Sequence, residues 1–101
     1  MTRTSNARCR WFVTNRIEFT ANNIFAKKFA NGDYAVWSYG EHFPIYVYAR
    51  NRWFGNFEKY SQSTAKHQSQ ARPSVSLIIY LPTIALKRLI FDPSFMSEEI
   101  F

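Results

Sequence analysis

Apolar and polar positions alternate most cleanly over DYAVWSYG, where Tyr34, Val36 and Ser38 fall on one side and Ala35, Trp37 and Tyr39 on the other. That period of two is the signature of a strand, and Gly40 ends it. The next stretch, FPIYVYARNRWFGNFEKYS, reads as a hairpin. Ile45, Val47 and Ala49 share one face of its first strand and Tyr46 and Tyr48 the other. Arg50-Asn51-Arg52 forms the turn, with Asn51 best suited to a positive φ. Trp53 to Phe57 is the return strand, in which Gly55 marks a bulge. Three sequential strands with short links predict an antiparallel meander.

The flanks carry weaker patterns. RWFVTNRIEF (10–19) holds the β-formers Trp11, Val13 and Ile17 and predicts a strand with imperfect alternation. TANNIFAKKFANG (20–32) predicts a helix: Thr20 serves as N-cap, Asn31-Gly32 as the left-handed stop, and Ile24, Phe25 and Phe29 as one face. Lys27 and Lys28 would then sit towards its C-terminal end, where the helix dipole favours cations. Beyond Tyr60, Ser63 or Thr64 caps a short helix that ends before Pro73, SVSLIIYL (74–81) is a fourth strand, and Thr83 caps a helix over IALKRLIF. Residues 92–101 read as a turn and a loosely held tail. The prediction is an α+β fold, a small antiparallel meander of three to four strands with two to three short helices. One domain spans residues 1–101, since a chain of this length has room for one core.

Composition sharpens this picture. Hydrophobic residues make up 47% of the chain and aromatic residues 19%, which excludes wholesale disorder and leaves too many rings for a small interior to hide. The formal net charge is +6, concentrated in the first thirty residues, where Arg3, Arg8, Arg10, Arg16, Lys27 and Lys28 face Glu18 alone. A basic surface suits nucleic acid, an acidic protein or an anionic membrane, and also simple solubility. Cys9 is the only cysteine, and His42 and His67 are the only histidines, so neither an intrachain disulfide nor a metal or other cofactor is predicted. The basic N-terminus is followed by no long apolar run, and the apolar stretch from Val75 to Phe91 is interrupted by Pro82, Lys87 and Arg88. No membrane span is expected, and a reducing, cytoplasmic setting fits.

Three groups of residues could carry chemistry. KYSQSTAKHQSQARP (59–73) gathers Lys59, Ser63, Thr64, Lys66 and His67 near a helix start, where free backbone N–H groups suit a phosphate or carboxylate. The alternative is a capped, exposed helix with no ligand. Catalysis by His67 lacks support, for there is no G-x-S-x-G, no H-x-x-x-H, no paired carboxylates and no glycine-rich phosphate loop. The second group is a basic and aromatic surface from Arg8, Arg10, Lys27, Lys28, Tyr46, Tyr48, Arg50 and Arg52. If the sheet face is bare, its tyrosines and arginines would stack bases or anchor a protein partner; if helices cover it, the tyrosines are core. Third, Glu41 and His42 are neighbours that an extended chain would point apart, and Cys9 lies between two arginines that could lower its pKa.

NGDYAVWSYGEHFPIYVY followed by RWFGNFEKYSQSTAKHQSQARP resembles a family of small proteins from phages, plasmids and other mobile elements. The family's pattern is SYG-x-H-F/I-P-I, then W-(Y/F)-x-N, then KYS-x-(T/S)-T-x-KH-x-S/Q, and the match covers about residues 31–73. Ser63, Thr64, Lys66, His67 and Gln68 sit on it, while Ala65 stands where serine is usual. The resemblance implies a mobile-element origin and assigns no catalytic residue. With it, the expected function is a non-catalytic protein that binds and inhibits or redirects a host protein or ribonucleoprotein complex, such as a defence complex of the CRISPR kind. The alternative is a basic accessory protein that binds DNA or RNA directly.

Overall fold

The computed structural model describes residues 2–91. The alternating hairpin becomes the middle of a seven-stranded sheet whose strands lie in chain order: β1 (Thr2–Arg3), β2 (Phe19–Thr20), β3 (Ile24–Lys28), β4 (Tyr34–Ser38), β5 (Pro44–Ala49), β6 (Arg52–Asn56) and β7 (Ile79–Leu81). Strands β2 to β6 are antiparallel, whereas the edge strands β1 and β7 pair in parallel with their neighbours. A parallel neighbour needs a crossover, and helices supply both. A 3-10 turn at Asn6–Arg8 and helix α1 (Cys9–Thr14) connect β1 to β2, and helix α2 (Gln62–Ala71) connects β6 to β7. Helix α3 (Thr83–Phe91) follows β7.

The sheet is covered on both faces. Cys9 and Val13 of α1 and Ala71 of α2 pack with Ile24, Tyr34, Val36, Tyr46 and Trp53 in one buried cluster. Leu86 and Leu89 of α3 pack with Ala35, Trp37, Val47, Ala49 and Phe54 in a second. The alternation in β4 therefore sends its two residue sets into two different cores, so every residue of that strand is buried. The α+β class is as predicted. The sheet differs in having seven strands rather than three or four, and in being mixed rather than antiparallel throughout.

Two predicted elements are exchanged in type. Residues 10–19 contain helix α1 rather than a strand, because Cys9 and Val13, four apart, are the buried pair while Trp11 points to solvent. The helix predicted over 20–32 is strand β3. Asn22 and Asn23 form a tight turn there, with Asn23 at φ 62, and the Asn6 side chain accepts from Asn22 N–H and donates to Asn22 C=O. From that turn Ile24 and Ala26 enter the first core, while Phe25 stacks on Trp37 on the other face. Full pairing with β4 outweighs the helix propensity of the AKKFA run.

Smaller corrections follow from register. Gly55 marks no bulge; it pairs regularly with Tyr46 and Tyr80, and a Cβ there would meet the Tyr80 ring at 2.8 Å. The irregularity lies instead between β4 and β5 at Val36/Trp37, and it turns Ile45 into the first core, away from Val47 and Ala49 in the second. Helix α2 is capped by Ser61, whose Oγ accepts from Thr64 N–H, rather than by the predicted Ser63 or Thr64. Thr83 is the first residue of α3 rather than its cap. Among the described residues no helix is long and apolar enough to cross a membrane. The tail expected over 92–101 lies outside the described residues.

Candidate functional site

The two sequence blocks of interest, SYGEHF and KYSQSTAKH, meet at one end of the sheet. Ser38 closes β4, and its Oγ lies 2.7 Å from Nδ1 of His67, on the second turn of α2. Both are buried, Ser38 at 1% exposure and His67 at 6%. Burial, and then the charge of adjacent Lys66, lowers the His67 pKa from its ordinary value, so the imidazole is neutral at pH 7. In a neutral ring Nδ1 either donates to or accepts from the serine hydroxyl, and either tautomer satisfies the buried pair.

Aromatic rings surround this bond. Tyr39 lies against His67 with centroids 5.2 Å apart, and Tyr60 contacts both Phe43, at 5.8 Å, and His42, at 6.4 Å. Phe43 is buried, while Tyr39 is 46% and Tyr60 71% exposed. Tyr39 adopts φ 66 and Gly40 follows at φ 142. A left-handed conformation is costly for an aromatic residue, and such strain collects where a side chain must be aimed. Exposed His42, Lys59 and Lys66 belong to the same turn and to the approach and first turns of α2.

Behind the site, a polar network fixes the segment that delivers α2. Asn56 Nδ2 donates to Pro44 C=O and to Thr83 Oγ1, while its Oδ1 accepts from Glu58 N–H. Gln68 Nε2 donates to the carbonyls of Asn56 and Glu58. Thr83 donates its N–H to the Glu58 carboxylate; its hydroxyl and this N–H hold the Glu58 carboxyl below its usual range. The network therefore ties the exit of β6 to both α2 and α3.

The sequence candidates separate into several places. Of the proposed anion group, Thr64 and His67 point inward, while Lys59, Ser63 and Lys66 are exposed. The Thr64 N–H is already taken by Ser61, whose hydroxyl also lies 3.2 Å from Thr64 Oγ1. Tyr46 is 3% exposed and donates its hydroxyl to Gln68 C=O; burial drives its phenol pKa far up. Tyr48 is half-buried under Arg16, whose guanidinium carbon is 4.1 Å from the ring centroid. The tyrosine face thus lies under α1 and α2 rather than forming an open platform. Arg50 and Arg52 are exposed at the far end of β5 from Tyr39, with Lys28 exposed at the same far end. Lys27 is paired with Glu41 at 2.9 Å. Arg8 and Arg10 flank exposed Trp11, and Arg10 donates to Ser69 C=O, joining α1 to α2. Cys9 is buried, and burial pushes its thiol up to about 11 despite Arg10.

Sequence reading missed Ser38, Tyr39 and Tyr60 as members of the site. The available signal was the tyrosine directly before Gly40 and the tyrosine directly before the capping Ser61, both at breaks in the pattern. In comparisons with protein-family models, curated protein sequences and solved structures, no match to this chain was found.

Proposed function

We propose that this chain is a non-catalytic binding protein of a mobile element that occupies a surface of a host protein or nucleoprotein complex, and that Tyr39 and Tyr60 anchor the contact. The observation that carries this reading is a pair of exposed tyrosines set on a fixed base: Tyr39 against buried His67, and Tyr60 against buried Phe43. Pre-ordered aromatics surrounded by polar residues are the usual form of an interface anchor. The Ser38 hydroxyl that meets the imidazole Nδ1 is closed off from solvent, which supports a holding role for the pair. The resemblance of residues 31–73 to mobile-element proteins supports the choice of a host partner.

The test is capture from host lysate with tagged protein, with and without nuclease, beside a Tyr39→Ala/Tyr60→Ala chain. A discrete partner that survives nuclease and is lost with the double substitution is expected. Retention of that partner by the double variant would remove the site from the contact.

A second reading, direct nucleic-acid binding, is favoured by charge. All thirteen lysines and arginines lie within residues 2–91, whereas Asp92, Glu98 and Glu99 take three of the seven acids beyond them. The described residues 2–91 therefore set thirteen cations against four carboxylates. Binding of this kind weakens steeply with salt, because each phosphate contact releases counterions. A flat salt response would refute it.

A further inference from the structure

At the opposite end of the sheet a cleft of about 590 Å³ is lined by three cations drawn from three segments: Arg16 after α1, Lys28 at the end of β3, and Arg50 in the β5–β6 turn. Gly32, Asp33 and Tyr48 complete its working wall. This volume is that of a small-molecule site.

Two of the cations are held by backbone that favours other residues. Helix α1 ends with Arg16 N–H donating to Val13 C=O and Ile17 N–H donating to Phe12 C=O, the Schellman arrangement, and Arg16 occupies its left-handed seat at φ 54. Glycine is the usual occupant there. The β5–β6 hairpin closes through Arg50 and Asn51, at φ 56 and φ 62, with Ala49 paired to Arg52. A two-residue loop with both φ positive is a type I′ turn, which prefers Asn, Asp or Gly at its first position. Arginine is thus found in two separate left-handed positions, and both project into one cleft. Strain placed twice at one site is what a functional demand on the side chain leaves behind.

The chemistry of the wall narrows the ligand. Arg16 is fixed over the Tyr48 ring, so one guanidinium is positioned before any ligand arrives. Arginines recognise phosphate through paired N–H donors, and Lys28 adds a point charge. The opposing acids are Asp33 in the cleft and Glu18 beside it; the Glu18 carboxylate accepts from Lys28 N–H, and that of Asp33 accepts from Asn31. Three cations and a carboxylate acceptor lining one cleft match a ligand that carries both a phosphate and hydroxyl donors. We infer that this cleft binds a nucleoside phosphate, either a free nucleotide or the phosphorylated end of a strand, with Arg16, Lys28 and Arg50 holding the phosphate. The inference goes beyond both readings above and uses none of the residues of the tyrosine site.

The test is calorimetric titration of the full chain with AMP, adenosine, inorganic phosphate, and one hexanucleotide with and without a 5′-phosphate. AMP should bind, adenosine and inorganic phosphate should bind more weakly, and the 5′-phosphate should strengthen the hexanucleotide. A preference for AMP identifies the free nucleotide as the source, and a preference for the phosphorylated strand identifies nucleic acid; either sustains the site. Lys28→Gln and Arg50→Asn should each weaken binding about tenfold, the loss of one charge-assisted phosphate contact. Absence of AMP and strand binding at millimolar concentration, or affinities unchanged in both variants, would overturn the proposal.

Discussion

The Ser38 hydroxyl and the His67 imidazole, twenty-nine residues apart in the chain, lie 2.7 Å apart and nearly out of reach of water. The bond joins the last residue of β4 to the middle of α2, and so locks the turn that carries Tyr39 to the helix beneath it. Ser38→Ala leaves the buried Nδ1 without a partner and should cost about 1 to 3 kcal/mol of stability. In a double-mutant cycle with His67→Phe, the combined loss should be smaller than the sum of the two single losses. Urea unfolding measures all four chains, and strict additivity would show that the two groups are not coupled.

His67 also makes a prediction about acid. Its pKa is lowered in the folded state by burial, and by Lys66 after that, whereas the unfolded chain titrates near 6.5. Below pH 6.5 the unfolded state takes up more protons than the folded state, so stability falls with falling pH until the folded value is passed. Above pH 6.5 the contribution is constant. Glu58 acts in a lower window: its folded pKa lies below 4.5, so its contribution is lost only as pH drops beneath that value. Thermal midpoints between pH 5 and 7.5 should slope for the parent chain and flatten for His67→Phe. Equal slopes would assign the acid sensitivity to another group.

Gly55 and Tyr80 give a test of packing that does not involve the site. A methyl group at residue 55 would lie 2.8 Å from the Tyr80 ring and 3.1 Å from Ile78 Cγ2. Gly55→Ala should destabilise by about 1 to 3 kcal/mol through overpacking. Adding Tyr80→Ala opens the space that the methyl needs, so the double variant should be less destabilised than the two single changes predict. Chemical denaturation of the four chains checks this.

How much of this was legible in the sequence depends on how local each signal was. β4, β5 and their partner β6 were readable because alternation is printed along each strand and the links are short. The Arg50-Asn51 turn was readable for the same reason. β1 and β2 were not, since two residues hold no period and their pairing depends on distant chain; β7 lies inside the strand predicted over 74–81, but its short extent and its parallel pairing with β6 were not legible. Residues 20–32 misled because an Asn-Asn turn and an Asn-Gly turn also resemble the ends of a helix. His67 and Lys66 stood out by composition, but Ser38 did not: a serine at a strand end is ordinary until a helix brings an imidazole to it. The cleft at the other end was hidden because Arg16, Lys28 and Arg50 belong to three separate segments that only the finished sheet brings together.

Asn56 carries the last prediction. Its buried amide donates to Pro44 C=O and Thr83 Oγ1 and accepts from Glu58 N–H. Asn56→Ala should cost about 2 to 3 kcal/mol. Asn56→Asp keeps the shape and the acceptor, yet it replaces two donated bonds by a buried negative charge facing a carbonyl oxygen near the Glu58 carboxylate. At pH 7 the aspartate should therefore be the more damaging change. Its folded pKa would be raised, so its penalty is full at neutral pH and shrinks as pH falls towards the ordinary aspartate range near 3.9, where the protonated acid regains a donor. Denaturation of both variants at pH 7 and pH 5 distinguishes the outcomes. A gap between aspartate and alanine that narrows at pH 5 shows that the donated hydrogen bonds stabilise the junction of β6, α2 and α3. A gap that does not change with pH would mean that the side chain's shape alone is what that junction requires.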